Sequence, residues 1–101
     1  MKSYKLKKGF SDNIERIQDI ILHCFHVNTI INENKIIFNY KFLKKIIIFT
    51  KDKKLYIETE KNIDKNISND EIIAVNSLFR KFLYLTTGYT IKERIKNLKN
   101  E

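Results

Sequence analysis

Four consecutive large apolar residues, Ile46, Ile47, Ile48 and Phe49, constrain the fold of this chain more than any other stretch. Three of the four are β-branched, and the run has no polar side to turn toward solvent. Such a run indicates a strand that is covered on both faces, because a helix of this size would show a polar face. It is also much shorter than the about 20 apolar residues that a membrane span needs. We therefore place it in the middle of a sheet.

The composition is that of one soluble globular domain spanning residues 1–101. Hydrophobic residues make up 43% of the chain and charged residues 32%, and a chain of this length can bury enough surface to fold without disulfides. The single cysteine, Cys24, excludes an internal disulfide and favours a cytoplasmic location. We expect no signal peptide, because no apolar stretch follows the basic N-terminus.

Alternating apolar and polar residues predict four further strands around the central one. They cover residues 3–8, 27–31, 35–42 and 54–60, and the central strand covers residues 45–51. Asn32-Glu33-Asn34 and Asp52-Lys53 have the composition of turns. Because these connections are short, strands two to five should form an antiparallel meander.

The first helix is predicted between the first two strands. Ser11 or Asp12 can cap its N-terminus, and Asp12 with Glu15 has the spacing of a capping box. An apolar stripe at helical spacing then indicates a helix that lies on the core. The stripe consists of Ile14, Ile17, Ile21 and Phe25.

Two more helices are predicted in the last third of the chain. Ser68 and Glu71 form a capping box that opens a long helix, which runs to about residue 86. Gly88 is expected to end it in a left-handed conformation. Thr90 and Glu93 form another capping box, which opens a short and strongly basic C-terminal helix.

The order of these elements, β-α-β-β-β-β-α plus a short C-terminal helix, predicts an α+β fold. We expect a five-stranded, mainly antiparallel sheet with the helices on one face and the strand order 1-5-4-3-2. This order places the most apolar strand at the centre. The arrangement resembles half of the saddle of TATA-binding proteins, or a small helix-grip fold, and such an analogy carries no function by itself.

The outer face of the predicted sheet is unusually apolar for a solvated surface. Ile37, Ile47, Phe49 and Tyr56 fall on it together, and such patches usually bind something. One explanation is a homodimer that pairs these faces, with the four residues as the oligomer interface. Another is that the C-terminal helix covers them.

A nucleic-acid platform is the alternative explanation for this face. Lys41, Lys45, Lys51 and Lys54 share it with Phe49, and interleaved basic and aromatic residues suit single-stranded nucleic acid. The net charge of +8 permits such a partner, although the abundance of Ile, Lys and Asn is also what AT-rich codons give.

A small-ligand pocket between the sheet and the long helix is a third possibility. Phe38, Phe42, Phe79 and Phe82 would line it or simply fill it. Helix-grip arrangements leave room for such a pocket at this place. A core without a cavity there would exclude the idea.

Residues suited to catalysis or metal binding are sparse in this sequence. His23, Cys24 and His26 form one short cluster, whereas a zinc site needs three or four convergent ligands. The sequence has no glycine-rich phosphate loop and no pairing of a nucleophile with a base. We therefore expect no metal, no cofactor and no enzymatic activity.

The segment 82–94 carries a family resemblance, most specifically in Thr87-Gly88-Tyr89-Thr90 followed by Lys92-Glu93-Arg94. Residues 6–9 and 54–59 add to it. The chain resembles a family of small archaeal one-domain proteins of unknown function, of the kind found in methanogens. The resemblance implies an archaeal cytoplasmic protein with the saddle-half-like α+β fold, and it assigns no activity and no functional residue.

Overall fold

A computed structural model of the chain describes residues 2–61 and 67–99, and of residues 96–99 it describes the backbone alone. Strands and helices follow one another in these ranges in the predicted order. They are β1 (Lys2–Lys5), α1 (Ile14–Phe25), β2 (Ile30–Asn32), β3 (Lys35–Tyr40), β4 (Leu43–Lys51), β5 (Lys54–Lys61), α2 (Asn69–Thr87) and α3 (Ile91–Lys99).

The strands form one sheet in the order β1-β5-β4-β3-β2, and every neighbouring pair is antiparallel. The predicted α+β class and the predicted strand order are therefore confirmed. Strand β4, which contains the apolar run, lies at the centre between β5 and β3. Both neighbours are joined to β4 by tight turns, since Lys41 in one turn and Asp52 and Lys53 in the other have positive φ angles.

The apolar run on β4 is covered by helices on one face only. Ile46 and Ile48 have no solvent exposure, whereas Ile47 and Phe49 are partly buried. Among the described residues, the helices thus supply the predicted cover on the inner face, and the predicted cover of the outer face stays a prediction. An unbroken apolar run indicates that both faces of the strand are shielded from water. It does not indicate whether the same chain or a second molecule provides the shielding.

The core fills the space between the sheet and helices α1 and α2. Phe25 of α1 is its aromatic centre, because its ring packs 5.5 Å from Phe38 and 5.1 Å from both Tyr40 and Phe79. Phe38 and Phe82, which were expected to line or fill a ligand pocket, are buried in this core. The buried apolar residues are Ile17, Ile21, Cys24, Phe25, Ile36, Phe38, Phe42, Leu43, Ile46, Ile48, Leu55, Ile57, Val75, Phe82 and Leu83.

Helix α1 begins one residue later than its predicted caps. Asn13 is the N-cap, and its Oδ1 accepts a hydrogen bond of 3.0 Å from the Arg16 N–H. Ser11 instead accepts a 3.0 Å hydrogen bond from the Asn13 N–H. The predicted caps Ser11 and Asp12 were therefore wrong, because three adjacent residues can each cap a helix and the sequence alone did not rank them.

Several strand boundaries also differ from the prediction. β2 covers Ile30–Asn32 and not residues 27–31, because His26 ends α1 in a left-handed conformation and leaves a short connection before the strand. β1 ends at Lys5, β3 ends at Tyr40, and β4 begins at Leu43. The caps of the later helices were predicted correctly: Ser68 opens α2 and Gly88 closes it.

Candidate functional site

The sheet face that points away from α1 and α2 is called the outer face here. Its side chains form parallel rows, because residues paired across antiparallel strands point to the same side. Nearest the β4–β5 turn lies a lysine row, in which Lys54 is opposite both Lys51 and Lys5. Like charges placed directly opposite one another destabilise a sheet, so Lys51 and Lys54 favour a negative charge from outside the sheet.

The next row is aromatic. Phe49 is opposite Tyr56, and the two rings stack with centroids 5.0 Å apart and an interplanar angle of 8°. Lys35 of β3 approaches Phe49 from the other side, with its Nζ 5.3 Å from the ring centroid. Since β3 and β5 flank β4, Phe49 has a neighbour on each face of its ring, whereas Tyr56 is opposite the small Ser3 on its β1 side.

The third row is made of isoleucines and ends in a carboxylate. Ile37 is opposite both Ile30 and Ile47, and Ile47 is opposite Glu58. Ile37 and Ile47 are partly buried, while Ile30 at the sheet edge is 69% exposed. The apolar surface therefore extends from the centre of the sheet to the free edge of β2.

The fourth row lies near the β3–β4 turn and has mixed charge. Lys45 is opposite Glu60, and Glu60 also forms an ion pair of 3.3 Å with Lys44. Together with Ile47, Glu58 and Thr59, Lys45 and Glu60 line a hollow of about 160 Å³. Two carboxylates thus stand at one end of the outer face, and the lysine row stands at the other.

The structure divides the predicted nucleic-acid set into two groups. Lys51, Lys54 and Phe49 lie together at the lysine end, whereas Lys45 lies six residues along β4, about 20 Å away at the strand rise. Lys41 lies in the β3–β4 turn, with its Nζ 5.8 Å from the ring of its neighbour Tyr40. The predicted interface set, Ile37, Ile47, Phe49 and Tyr56, is contiguous on the outer face.

Sequence reasoning missed some residues that shape this face. Ile30 reaches it through the register of β2, which no local sequence signal gives, whereas Lys35 alternates with Ile37 along β3 and could have been found. Glu58 and Glu60 could have been found, because they alternate with Tyr56 along the same strand. Their presence changes the predicted surface from a basic platform to one with lysines at one end and a mixture of lysines and carboxylates at the other.

Helix α3 is held on the helix side of the sheet, next to β1. Glu93 forms an ion pair of 3.9 Å with Lys7, which follows β1. Arg94 lies near Tyr4, which is opposite the buried Leu55 and so faces the core. Burial raises the pKa of Tyr4, and the nearby Arg94 charge opposes that rise. These contacts hold α3 away from the outer face.

An open groove lies at the far end of the interface between β5 and the first half of α2. It has a volume of about 530 Å³, and Ile57, Ile72, Val75 and Phe79 are among its apolar lining residues. Its rim includes Lys61 and Ile67, and residues 62–66 between them lie outside the described ranges. We therefore assign no ligand to this groove.

The histidine and cysteine cluster does not converge in the structure. Cys24 is buried in the core, His23 is exposed, and His26 is the left-handed residue that ends α1. Within residues 2–61 and 67–95, no three or more His, Cys, Asp or Glu side chains are arranged to hold a metal ion. Burial raises the pKa of the Cys24 thiol, and the nearby Lys81 opposes the rise.

A second region of note surrounds the end of α2, and we call it the C-terminal junction. It comprises Arg16, Thr87, Gly88 and residues 89–94. Arg16 of α1 donates hydrogen bonds of 3.0 and 3.2 Å to the carbonyls of Leu85 and Thr86, and one of 2.6 Å to that of Ser11. Because α2 has no basic residue in its own last turn, Arg16 supplies the cation that its negative end favours.

Thr87 and Gly88 set the direction of the chain after α2. The Thr87 Oγ1 donates a 2.7 Å hydrogen bond to the Leu83 carbonyl and accepts one of 3.2 Å from the Tyr89 N–H. Gly88 has a φ angle of +81°, and a Cβ at this position would lie 2.6 Å from the ring of Phe10. Only glycine fits this turn without moving the Phe10 ring.

The start of α3 completes the junction. Thr90 and Glu93 form a reciprocal capping box with two hydrogen bonds of 3.2 Å, as the sequence predicted. The hydrogen bond from the Thr90 backbone is the main cause that lowers the pKa of Glu93. Arg94 donates a 2.9 Å hydrogen bond to the Tyr89 carbonyl, and burial lowers the pKa of its guanidinium.

Comparisons with known proteins place the chain in a group without an assigned activity. The family model described as Domain of unknown function (DUF5611) matches residues 1–100. The chain is similar to the NMR solution structure of hypothetical protein TA0095 from Thermoplasma acidophilum, with a TM-score of 0.71 and 24% sequence identity over 100% of each chain. At this identity the likeness shows the fold alone. No protein with a curated description matches the sequence.

None of the described helices combines the length and the apolar character that crossing a membrane requires.

Proposed function

We propose that this chain, which belongs to the family described as Domain of unknown function (DUF5611), is a non-enzymatic domain that self-associates through its outer face. One observation carries the proposal. The isoleucine row and the stacked Phe49–Tyr56 pair lie side by side on a sheet face that the described helices leave uncovered. An apolar centre with charged ends is the usual composition of a protein–protein interface.

The same geometry argues against base stacking on Phe49. Phe49, the predicted stacking residue, already contacts Tyr56 on one ring face and Lys35 on the other. Glu58 and Glu60 share the outer face, and their carboxylates would repel a phosphate backbone. A protein partner makes use of both signs of charge, whereas nucleic acid makes use of one.

The experiment compares Ile47→Lys with the wild-type chain by light scattering after size exclusion, at concentrations up to tens of micromolar. We expect the wild type to have twice the monomer mass. Ile47→Lys should weaken the dimer at least about tenfold, because it places an unpaired charge at the centre of the interface. Ile73→Lys is the matched control, since Ile73 is a 62% exposed isoleucine on α2.

Two outcomes would contradict the proposal. One is a wild type that stays monomeric throughout this concentration range. The other is an Ile47→Lys variant that dimerises as well as the Ile73→Lys control. Since both variants carry the same added charge, a general effect of net charge cannot explain a difference between them.

Nucleic-acid binding is the second candidate, and the lysine row is the observation that favours it. Lys51 and Lys54 are directly opposite each other, which is a costly arrangement without a counter-charge. The same scattering experiment with a generic nucleic-acid pool tests this candidate. Nucleic-acid binding requires a complex that forms at low salt and dissociates as salt is raised. A chain that does not bind the pool at low salt would exclude this candidate.

We also propose a likeness to half of the TATA-binding-protein saddle, an origin in a methanogen, and a cytoplasmic location. The observed strand order β1-β5-β4-β3-β2 supports the first of them.

A further inference from the structure

The charges of the outer face select one arrangement for the second copy. We infer that the twofold axis of the dimer is perpendicular to the strands and parallel to the sheet, and that it passes over the Phe49–Tyr56 row. Lys54 of each copy then lies against Glu58 of the other. This inference rests on the proposed self-association and names its symmetry and its ion pairs. It identifies Lys54 and Glu58 as the residues that set the orientation of the dimer.

The spacing along β5 supports this axis. Lys54 and Glu58 lie two residues before and two residues after Tyr56, and all three side chains point to the outer face. Lys54 and Glu58 are therefore equally far from Tyr56, at about 7 Å along the strand on either side. Rotation about an axis perpendicular to the strand at Tyr56 reverses the strand direction in the second copy. It therefore places Lys54 of one copy against Glu58 of the other.

The alternative axis, parallel to the strands, is disfavoured by the same charges. Rotation about that axis would leave the lysine ends of both copies on the same side. The lysine row of one copy would therefore face the lysine row of the other. In a chain with a net charge of +8, that contact would be strongly repulsive. Of these two ways to pair the outer faces, only the crossing axis separates the two lysine rows and sets Lys54 against Glu58.

The two residues are available for such a contact. Within residues 2–61 and 67–95, neither Lys54 nor Glu58 forms an ion pair. Glu58 also lines the hollow of about 160 Å³. The side chain of Lys54 from a second copy can enter this hollow and reach the carboxylate.

The neighbouring strand fits the same symmetry. On β4, Ile47 and Lys51 lie two residues on either side of Phe49. The axis therefore places the aliphatic stem of Lys51 over Ile47 of the second copy, while its ammonium group stays at the edge in water. The stacked Phe49–Tyr56 pair meets its own symmetry mate, which is the self-complementary contact that a twofold dimer needs.

A charge swap tests the inference. Lys54→Glu and Glu58→Lys are each made alone and then together, and the dimer dissociation constant is measured by sedimentation. Each single variant should weaken the dimer at least about tenfold, because like charges then meet twice across the axis. The double variant has the net charge of the wild type and should recover to within about threefold. Lys61→Glu is the control, since Lys61 lies on β5 on the opposite face.

The outcomes separate this inference from the proposed function. A monomeric wild type would overturn both. A dimer that Ile47→Lys disrupts but Lys54→Glu leaves unchanged would keep the proposed function and overturn the axis. A double variant that stays as weak as the single variants would do the same, because recovery requires that the two residues face each other.

Discussion

The C-terminal junction and the outer face use their polar groups in opposite ways. At the junction, Arg16, Thr87 and Arg94 donate to backbone carbonyls of the same chain. On the outer face, Lys54 and Glu58 have no ion-pair partner among the described residues. A region whose polar groups are satisfied internally stabilises the fold, whereas a region that leaves charges unpaired around an apolar centre is suited to binding.

This difference explains why the family resemblance did not reveal a function. Its most specific part, Thr87-Gly88-Tyr89-Thr90 followed by Lys92-Glu93-Arg94, lies in the junction. There it closes α2, opens α3 and fixes the turn between them. Junction variants should therefore change the free energy of unfolding and leave the dimer constant intact, while outer-face variants should do the reverse.

The largest effect on stability is expected at Gly88. Gly88→Ala adds a Cβ where the φ angle is +81° and the ring of Phe10 is 2.6 Å away. We expect a loss of about 2 kcal/mol in the free energy of unfolding, from left-handed strain plus displacement of the 36% exposed Phe10 ring. Denaturant unfolding, followed by circular dichroism, measures it.

Gly9→Ala separates the two causes. Gly9 has a φ angle of +91°, and a Cβ there would meet nothing within 4 Å. Its loss should therefore be about 1 kcal/mol, from backbone strain alone. Equal losses at Gly9 and Gly88 would show that the Phe10 contact contributes nothing. A change in the dimer dissociation constant of either variant would contradict the distinction between the C-terminal junction and the outer face.

The sequence predicted the fold well wherever the signal was local. Ser68, Gly88 and the Thr90–Glu93 pair were all identified, because caps depend on residues within one turn. The strand order followed from short turns and from the apolar central strand. The cap at Asn13 was missed because its neighbours Ser11 and Asp12 have the same propensity.

The outer face was predictable only in part. Strand alternation correctly placed Ile47, Phe49 and Tyr56 on one side of the sheet. The ring stacking, and the approach of Lys35 to Phe49, depend on the registers between β3, β4 and β5. Those registers result from many long-range contacts, so no local pattern reveals which charges face which rings.

A smaller effect is expected from two adjacent threonines at the end of α2, both without solvent exposure. Thr87→Val removes the hydrogen bonds to the Leu83 carbonyl and from the Tyr89 N–H. It should cost about 1–2 kcal/mol of unfolding free energy, because the remaining groups lose their partner.

Thr86→Val is the control for this change, with the opposite expectation. The buried Oγ1 of Thr86 has no hydrogen-bond partner in the described part of the chain. Replacing it with a methyl group should leave stability unchanged or raise it by up to about 1 kcal/mol. If Thr86→Val destabilised the protein as much as Thr87→Val, the junction would owe its stability to side-chain shape and not to hydrogen bonds.

The smallest effect is expected from acid titration of Glu93, whose side chain is 44% exposed. Hydrogen bonds from Thr90 hold its pKa below the ordinary value of 4.5. The carboxylate therefore stabilises the start of α3 fully above pH 4.5, and this contribution is lost as pH falls through the lowered pKa. An NMR titration of the Thr90 amide should show a midpoint below 4.5, and Glu93→Gln should abolish that step while keeping an acceptor oxygen. A midpoint at or above 4.5 would mean that the capping box is not formed in solution, and the junction would then lose one of the internal contacts that distinguish it from the outer face.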